Sequence, residues 1–473
     1  MINKTFVFFL LSFLYLNFSA NAENVKKEPQ IITLQEVFNS VNKTFPLLEI
    51  AKQEKKISEN ILLSSQGAFD TSLNIRGIVE PLGYYNYSNL NVSIKQPTTF
   101  WGTNVFGGWR IGLGKYPIYE GKLETNSLGE FRAGLEIPLL KNGFTDRRRI
   151  NIQKSEIENQ IAELKIFTKI IESYQKSSDK YWKWISAGNR QIISEDLLKM
   201  ALKRDKDISQ SVKLGQSAPI ESLENKRAIF QRKQQLINSE RIFSQSSNEL
   251  GIYLRDNNSK TFIPKIDNVQ KTFKNIKSPE NFKLEKDLEF ALDNNPELKI
   301  INLKIQQNEY ELELAKNQNL PSLDLQLAIS QDIGTGSETR VPFEFDTAIV
   351  FDLPFQMRVS QAKISEIENK IIQLNTEADF LKDNIITEVK NNYLLLKATF
   401  ESVELARAEL VLAKDLEKAE YEKFKLGDST ILIVNLREQA ISDAAIREIS
   451  SITDYFKSII DYKMSISDIS YLM

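Results

Sequence analysis

The fold is decided by the stretch KISEIENKIIQLNTEADFLKDNI, residues 363–385. Its apolar positions alternate in steps of three and four: Ile364, Ile367, Ile371, Leu374, Ala378, Leu381 and Ile385. This spacing is the heptad seam of a helix that packs lengthwise against other helices. The pattern runs on to Leu426, where Gly427 has the position of a helix-terminating glycine. At ~1.5 Å per residue the helix would be on the order of 100 Å long. Such a rod needs helical neighbours.

The neighbours are predicted in the same chain, because the stretch occurs twice. SEIENKI at 365–371 repeats SEIENQI at 155–161, and KLGDS at 425–429 repeats KLGQS at 213–217. Upstream, 34–46 matches 284–296, and each run ends in a proline that suits the first position of a helix. The chain is therefore expected to be internally duplicated. The first structural repeat spans 23–254, a connector or equatorial segment spans 255–283, and the second repeat spans 284–473.

Residues 1–22 predict a secretory signal peptide. They carry one charge, Lys4, ahead of an apolar run from Phe6 to Phe18, and they end in Ala-Asn-Ala. The mature protein is then expected to begin near Glu23, outside the cytoplasm. With no cysteine in the chain, neither disulfide bonds nor a lipid anchor on an N-terminal cysteine is expected.

Composition argues against enzyme and nucleic-acid classes. The formal net charge is −2, so nothing favours nucleic acid as a partner. The chain has no histidine, which is the commonest catalytic base and metal ligand. The sequence also has no phosphate loop, no nucleophile elbow and no metal-ligand spacing. We expect no catalytic residue, no cofactor and no metal site, and hence no enzyme.

Strand-like segments near 70–138 and 322–354 alternate apolar and polar residues. Segments 322–330 and 344–353 do so in the second half, and 72–79 and 130–137 in the first. Alternation of apolar and polar residues over about ten positions fits a transmembrane β-barrel. It also fits a soluble antiparallel sheet with one face exposed to water. Eight aromatics between the first-half strands favour the barrel, because aromatic girdles lie at membrane interfaces. They are Tyr84, Tyr85, Tyr87, Phe100, Trp101, Trp109, Tyr116 and Tyr119.

Two further strands, around 90–94 and 109–113, could lie within the aromatic-rich stretch. The sequence leaves open whether they join the barrel or form an extramembrane hairpin.

The chain resembles the TolC family of outer-membrane efflux proteins over essentially its whole mature length. The resemblance lies in an ordered set of features, duplicated at constant spacing: the strand-to-helix joints at 138–140 and 353–355, the glycine turns, and the prolines Pro46 and Pro296. It implies a mixed α and β fold. In that fold a homotrimer shares one transmembrane β-barrel, to which each protomer lends four strands. Below the barrel lies a long α-helical coiled-coil barrel.

The resemblance also implies function and site residues. The channel would sit in the outer membrane of a Gram-negative bacterium, reach into the periplasm, and pass solutes from an inner-membrane transporter and a periplasmic adaptor to the exterior. It would serve a tripartite efflux or type I secretion system. The glycine turns would form the periplasmic tip, with adaptor-contact candidates Leu214, Gly215, Ser217, Leu426, Gly427 and Thr430. The gate or pore candidates are Glu221, Glu224, Phe424, Asp428 and Ser429.

Two other classes are open at this stage. One is the periplasmic coiled-coil adaptor itself, although an adaptor usually has a single hairpin. The other is a structural coiled-coil protein of the envelope without a pore, which would not need strands with lipid-length alternation.

Overall fold

The computed structural model describes residues 31–255, 259–273 and 276–469, so the signal peptide expected at 1–22 lies outside the described residues. Helices and strands alternate in blocks along the described chain. The helices are α1 (Leu34–Thr44), α2 (Pro46–Gln66), α3 (Arg147–Lys213), α4 (Pro219–Gly251), α5 (Leu284–Asn294), α6 (Pro296–Gln318), α7 (Arg358–Leu426) and α8 (Ile431–Ser465). The strands are β1 (Ser72–Glu80), β2 (Tyr87–Pro97), β3 (Asn104–Gly114), β4 (Glu130–Pro138), β5 (Ser322–Asp332) and β6 (Glu344–Asp352).

The heptad prediction for α7 is confirmed. The helix has 69 residues, and Ile367, Leu374 and Ala378 on its seam are buried while the charged positions between them are exposed. Its counterpart α3 has 67 residues. Pro46 and Pro296 open α2 and α6, as predicted. The duplication itself stays a prediction, as do the boundaries of the halves.

The helices form one layer whose neighbours follow from their contacts. Beside the sheet the order is α2, α3, α6, α7. Farther from the sheet, α4 and α8 replace α2 and α6 as neighbours of the two long helices, and the order becomes α4, α3, α8, α7. Helix α7 therefore lies at one edge of the layer along its whole length, and α2 and α4 lie at the other edge. Among the described residues, no helix is long and apolar enough to cross a membrane.

The main hydrophobic core of the helical layer lies about midway along α3. Trp184 and Tyr174 of α3 are fully buried there, and Trp182 stacks on Phe456 of α8 at 4.7 Å between ring centroids. Part of the connector predicted at 255–283 packs against this core. Its Val269 is buried in the same core, and the Tyr455 hydroxyl donates to the Lys277 carbonyl at 2.6 Å. The described part of the connector is thus packed onto the helices.

The sheet has six antiparallel strands in chain order, β1 to β6. The resemblance implied four barrel strands from each chain, whereas the sheet of the single chain contains six. The two further strands suggested around 90–94 and 109–113 exist as β2 and β3, and they pair with each other and with β1 and β4. Among the residues that the structure describes, β1 pairs only with β2 and β6 only with β5, so the sheet of a single chain is open.

Cross-strand register separates the sheet into an apolar face and a polar face. Leu325 pairs with Ile349 on the apolar face, whereas Gln326 pairs with Ala348 on the polar face. Side chains directly opposite each other in a sheet share a face, so the alternation in each strand carries across its neighbours. Large apolar side chains on the apolar face are exposed, among them Leu73, Ile75, Phe345, Ile349 and Phe351. Ion pairs lie on the polar face, including Arg132 to Asp346 at 3.3 Å.

Candidate functional site: the tip of the two helical hairpins

Helix α3 ends in a glycine turn at the end of the molecule farthest from the sheet. Gly215 has a φ of +68°, in the left-handed region that favours glycine. The Gly215 N–H donates to the Val212 carbonyl at 3.1 Å, and the Gln216 N–H donates to the Ser211 carbonyl at 2.9 Å. This pair of bonds is the Schellman arrangement, which satisfies carbonyls that the end of a helix leaves without partners.

Helix α7 ends in the same way. Gly427 has a φ of +84°, its N–H donates to the Phe424 carbonyl at 3.1 Å, and the Asp428 N–H donates to the Lys423 carbonyl at 3.0 Å. A Cβ added to Gly215 or Gly427 would meet nothing within 4 Å. The sequence prediction of two equivalent turns is confirmed in geometry, and both turns project into open space.

The glycine at the second turn has a testable conformational role. Gly427→Ala is expected to destabilise the tip by about 1 kcal/mol, because alanine is strained at positive φ and no added contact compensates. Amide hydrogen exchange in the last turn of α7 should become faster. Asp428→Ala is the matched control, since alanine keeps the backbone conformation there. Equal exchange rates in both variants would contradict the role given to Gly427.

The adaptor-contact candidates lie together at this tip. Leu214 and Leu426, beside the two glycines, are 63% and 79% exposed. Thr430 is exposed and precedes the first residue of α8, while Ser217 is half-buried. Both leucines are therefore accessible to a partner at the tip.

Two of the five gate candidates, Phe424 and Ser429, are half-buried and make contacts within the tip. Phe424 packs in a small core with Ile208, Val212, Ile431 and Val434, which joins the two hairpins. The Ser429 hydroxyl donates to Glu420 of α7 at 2.5 Å. Both residues are half-buried and make contacts that hold the turn in this conformation.

The acidic candidates differ from one another. Glu221 lies in the first turn of α4, where a carboxylate suits the positive end of the helix dipole. Glu224 lies one turn further and accepts from Arg227 at 3.1 Å. Asp428 is exposed at the second turn. These carboxylates are the charged members of the predicted gate set that remain at the surface.

A buried ionic cluster, which the sequence analysis missed, lies just above the tip. Arg204 of α3 donates to both Asn435 (2.9 Å) and Glu438 of α8. Arg232 of α4 donates to the other carboxylate oxygen of Glu438 at 2.9 Å and to the Leu197 carbonyl at 3.1 Å. The side chains of Arg204, Arg232 and Glu438 are all at most 9% exposed. One carboxylate thus ties the first hairpin to the second.

The cluster also affects a neighbouring acid on α7. Burial raises the pKa of Glu417, the negative charge of Glu438 raises it further, and Arg204 opposes both effects. The sequence did contain a signal of the cluster. Arg204 stands between the buried Ala201 and Ile208 in steps of three and four, so it occupies a seam position normally held by an apolar side chain.

No protein-family model and no curated protein sequence matches this chain. Solved structures do match it. CusC, which forms a transmembrane channel, aligns with a TM-score of 0.67 at 12% identity over 92% of this chain and 91% of its own. VceC, an outer membrane protein of Vibrio cholerae, aligns with a TM-score of 0.66 at 11% identity over 92% and 96%. This chain has the fold of the outer-membrane channels.

A third structure with this outer-membrane channel fold is the CmeC channel of Campylobacter jejuni, with a TM-score of 0.64 at 12% identity over 92% of this chain and 85% of its own. The resemblance to the TolC family is therefore confirmed at the level of the fold.

Proposed function

We propose that this protein is a passive channel of the Gram-negative outer membrane, built from three copies that share one barrel and one helical cylinder. It extends into the periplasm and conducts solutes delivered by an adaptor and an inner-membrane transporter, in an efflux or type I secretion system. It catalyses no reaction. The observation that carries the proposal is a sheet with one apolar and exposed face, in a chain whose sheet and helical layer both end in open edges.

The apolar face suits lipid, and the ends of the sheet suit the two membrane interfaces. Tyr87 and Tyr116 pack together at one end, with ring centroids 4.5 Å apart. Trp101 and Phe144 pack at the opposite end, 4.0 Å apart. Aromatic girdles at both interfaces are typical of outer-membrane barrels. The apolar band between them would face acyl chains, and the polar face would line water.

The open edges of the helical layer carry apolar stripes that no described residue of the single chain covers. On α4 the stripe has strict heptad spacing, with Leu223, Phe230 and Ile237 being 67%, 69% and 66% exposed. On α7, at the other edge of the layer, the exposed leucines between 394 and 416 are Leu394, Leu395, Leu405, Leu412 and Leu416. Beside the sheet, α2 exposes Leu47, Ile50, Ile57 and Ile61 at the same kind of spacing. Stripes of this kind are seams for a partner helix.

The occupant that fits both edges is a second copy of the chain. Helix α7 of one copy would pack on α2 and α4 of the next, and β6 would pair with β1 of the next. Because the strand number is even and all neighbours are antiparallel, β1 and β6 run in opposite directions, so their pairing stays antiparallel. A closed ring satisfies the backbone groups of both edge strands, which lipid cannot do. The family resemblance implies that the closed ring contains three copies of the chain.

The gate is proposed at the tip. Leu214, Gly215, Ser217, Leu426, Gly427 and Thr430 would meet the adaptor, and Glu221, Glu224 and Asp428 would face the passing solute. Opening requires one hairpin to rotate relative to the other. The ion pairs of Glu438 with Arg204 and Arg232 resist this rotation, because they join α8 to both helices of the first hairpin. Adaptor binding would supply the free energy that shifts the equilibrium.

The charge of the proposed entrance can be tested by conductance. The double variant Glu221→Gln and Glu224→Gln should lower the cation preference of single channels in planar bilayers, because three copies would lose six carboxylates at the opening. Glu309→Gln, on α6 far from the tip, is the matched control. Unchanged conductance and ion preference in the double variant would remove Glu221 and Glu224 from the pore lining.

The proposed location has a direct fractionation test. The protein should float with outer membranes and resist extraction at alkaline pH, because its sheet would be inserted in lipid. A soluble adaptor or a structural coiled-coil protein of the periplasm would be released by the same treatment, and that result would overturn the channel proposal.

A further inference from the structure

The first half of the chain contributes more strands to the sheet than the second half. Of the strands in the described part of the chain, β1 to β4 come from the first half, and β5 and β6 come from the second. The excess is the hairpin of β2 and β3, residues 87–114, which lies between β1 and β4 and pairs with both. It therefore separates two strands that would otherwise be neighbours.

This hairpin has the same two faces as the rest of the sheet. Val92 pairs with Ile75 of β1 and with Trp109 of β3, so all three lie on the apolar face. The next residue, Ser93, pairs with Asn74 on the polar face. A hairpin lying outside the membrane would gain nothing from an apolar face continuous with that of β1 and β4. The pattern indicates that β2 and β3 share the environment of the other strands.

The polar face of the hairpin is packed into the sheet. The Phe106 ring of β3 lies over Gly134 of β4, where an added Cβ would meet that ring at 2.5 Å. Lys95 of β2 forms an ion pair with Glu136 of β4. These contacts cross from the hairpin to its neighbouring strand, so the hairpin is part of the wall of the sheet.

The turn of the hairpin is anchored where the sheet meets the helices. The Trp101 indole N–H donates to the Pro138 carbonyl at the end of β4, at 2.5 Å. Gly102 has a φ of +61°, and a Cβ there would meet the Asn142 carbonyl oxygen at 2.1 Å. The turn fits closely against the segment that leads into α3, which fixes the hairpin at the periplasmic interface of the proposed barrel.

We infer that all six strands of each chain enter the membrane wall, so that the trimer forms a barrel of eighteen strands, six from each copy. The inference rests on the proposed trimeric channel. Barrel diameter grows roughly in proportion to strand number, so this pore is about one and a half times as wide as one built from four strands per copy.

The test places a fluorescent bimane label on single cysteines, for which the cysteine-free chain gives no background. Val92→Cys and Ile111→Cys lie on the apolar face of the hairpin, and Ser93→Cys is the polar-face control. The labelled trimers are reconstituted in vesicles of brominated phosphatidylcholine and of its unbrominated form. The expected result is an about two-fold loss of fluorescence at positions 92 and 111 in brominated lipid, and little loss at 93.

A reference label at Ile349→Cys on β6 distinguishes a failure of the eighteen-stranded barrel from a failure of the proposed channel. Quenching at 349 without quenching at 92 and 111 would leave the channel in place and overturn the eighteen-stranded barrel. Absence of quenching at all four positions would overturn the proposed channel itself. Each variant is first checked for heat-sensitive trimer migration, so that a misfolded variant is not scored.

Discussion

Glu438→Ala is expected to release the two hairpins from each other at the tip. The substitution leaves Arg204 and Arg232 buried without their shared carboxylate, and loss of one partner of a buried ion pair costs about 3–5 kcal/mol. Hydrogen exchange should rise in α8 around residues 431–442 and in the facing turns of α3 and α4. Single channels should open without an adaptor, because the closed arrangement loses the contact that holds it.

Two controls distinguish the effect of leaving buried arginines unpaired from the effect of losing any ion pair. Glu409→Ala breaks the exposed pair of Glu409 with Arg447, and an exposed pair contributes only about 0–1 kcal/mol. Replacing Arg204 and Arg232 by Met together with Glu438→Leu should recover most of the lost stability, since an apolar core replaces the buried charges. If Glu438→Ala behaved like Glu409→Ala, the cluster would not hold the hairpins together.

Ile349→Arg is expected to prevent stable insertion of the sheet. Ile349 lies near the middle of β6 on the apolar face, and an arginine at the midplane of a barrel costs about 2–4 kcal/mol in each copy. Because the proposed ring contains three copies, the penalty applies three times in one assembly. The heat-sensitive trimer should be lost from the outer-membrane fraction.

The control for this substitution is the adjacent position on the other face. Ala348→Arg places the same charge on the polar face, beside Gln326, where water would surround it. Near-normal trimer yield is expected for this variant. Equal yields for the two arginine variants would show that the two faces share one environment, and the sheet could not then be a membrane wall.

Local features of this fold were predictable from the sequence because they depend on neighbouring residues. The seam of α7, the glycine turns at Gly215 and Gly427, and the prolines that open α2 and α6 are all read from spacing within a few residues. The apolar and polar alternation of β5 and β6 is likewise read from neighbouring residues. Their bounds in the structure differ from the predicted ones by at most two residues.

Long-range features could not be predicted in this way. The number of strands in the sheet stayed open, because the family resemblance implied four barrel strands from each chain while the sequence suggested two more around 90–94 and 109–113. The alternation of these two strands is interrupted by glycines in β3, which weakened the signal. The packing of Phe424 against Ile208 and Val212 of α3 joins residues more than 200 positions apart, so it could not be read from the turn itself. The Glu438 cluster joins residues more than 200 positions apart.

The central claim is that three copies share one membrane barrel, and the most direct test is the mass of the detergent-solubilised protein. Light scattering, corrected for bound detergent, should give close to three times the mass of the mature chain, which is slightly below the 54.4 kDa of the full sequence. Heating should reduce that mass to a single chain. A membrane-free monomer or dimer, unchanged by mild heating, would contradict the shared barrel and with it the channel.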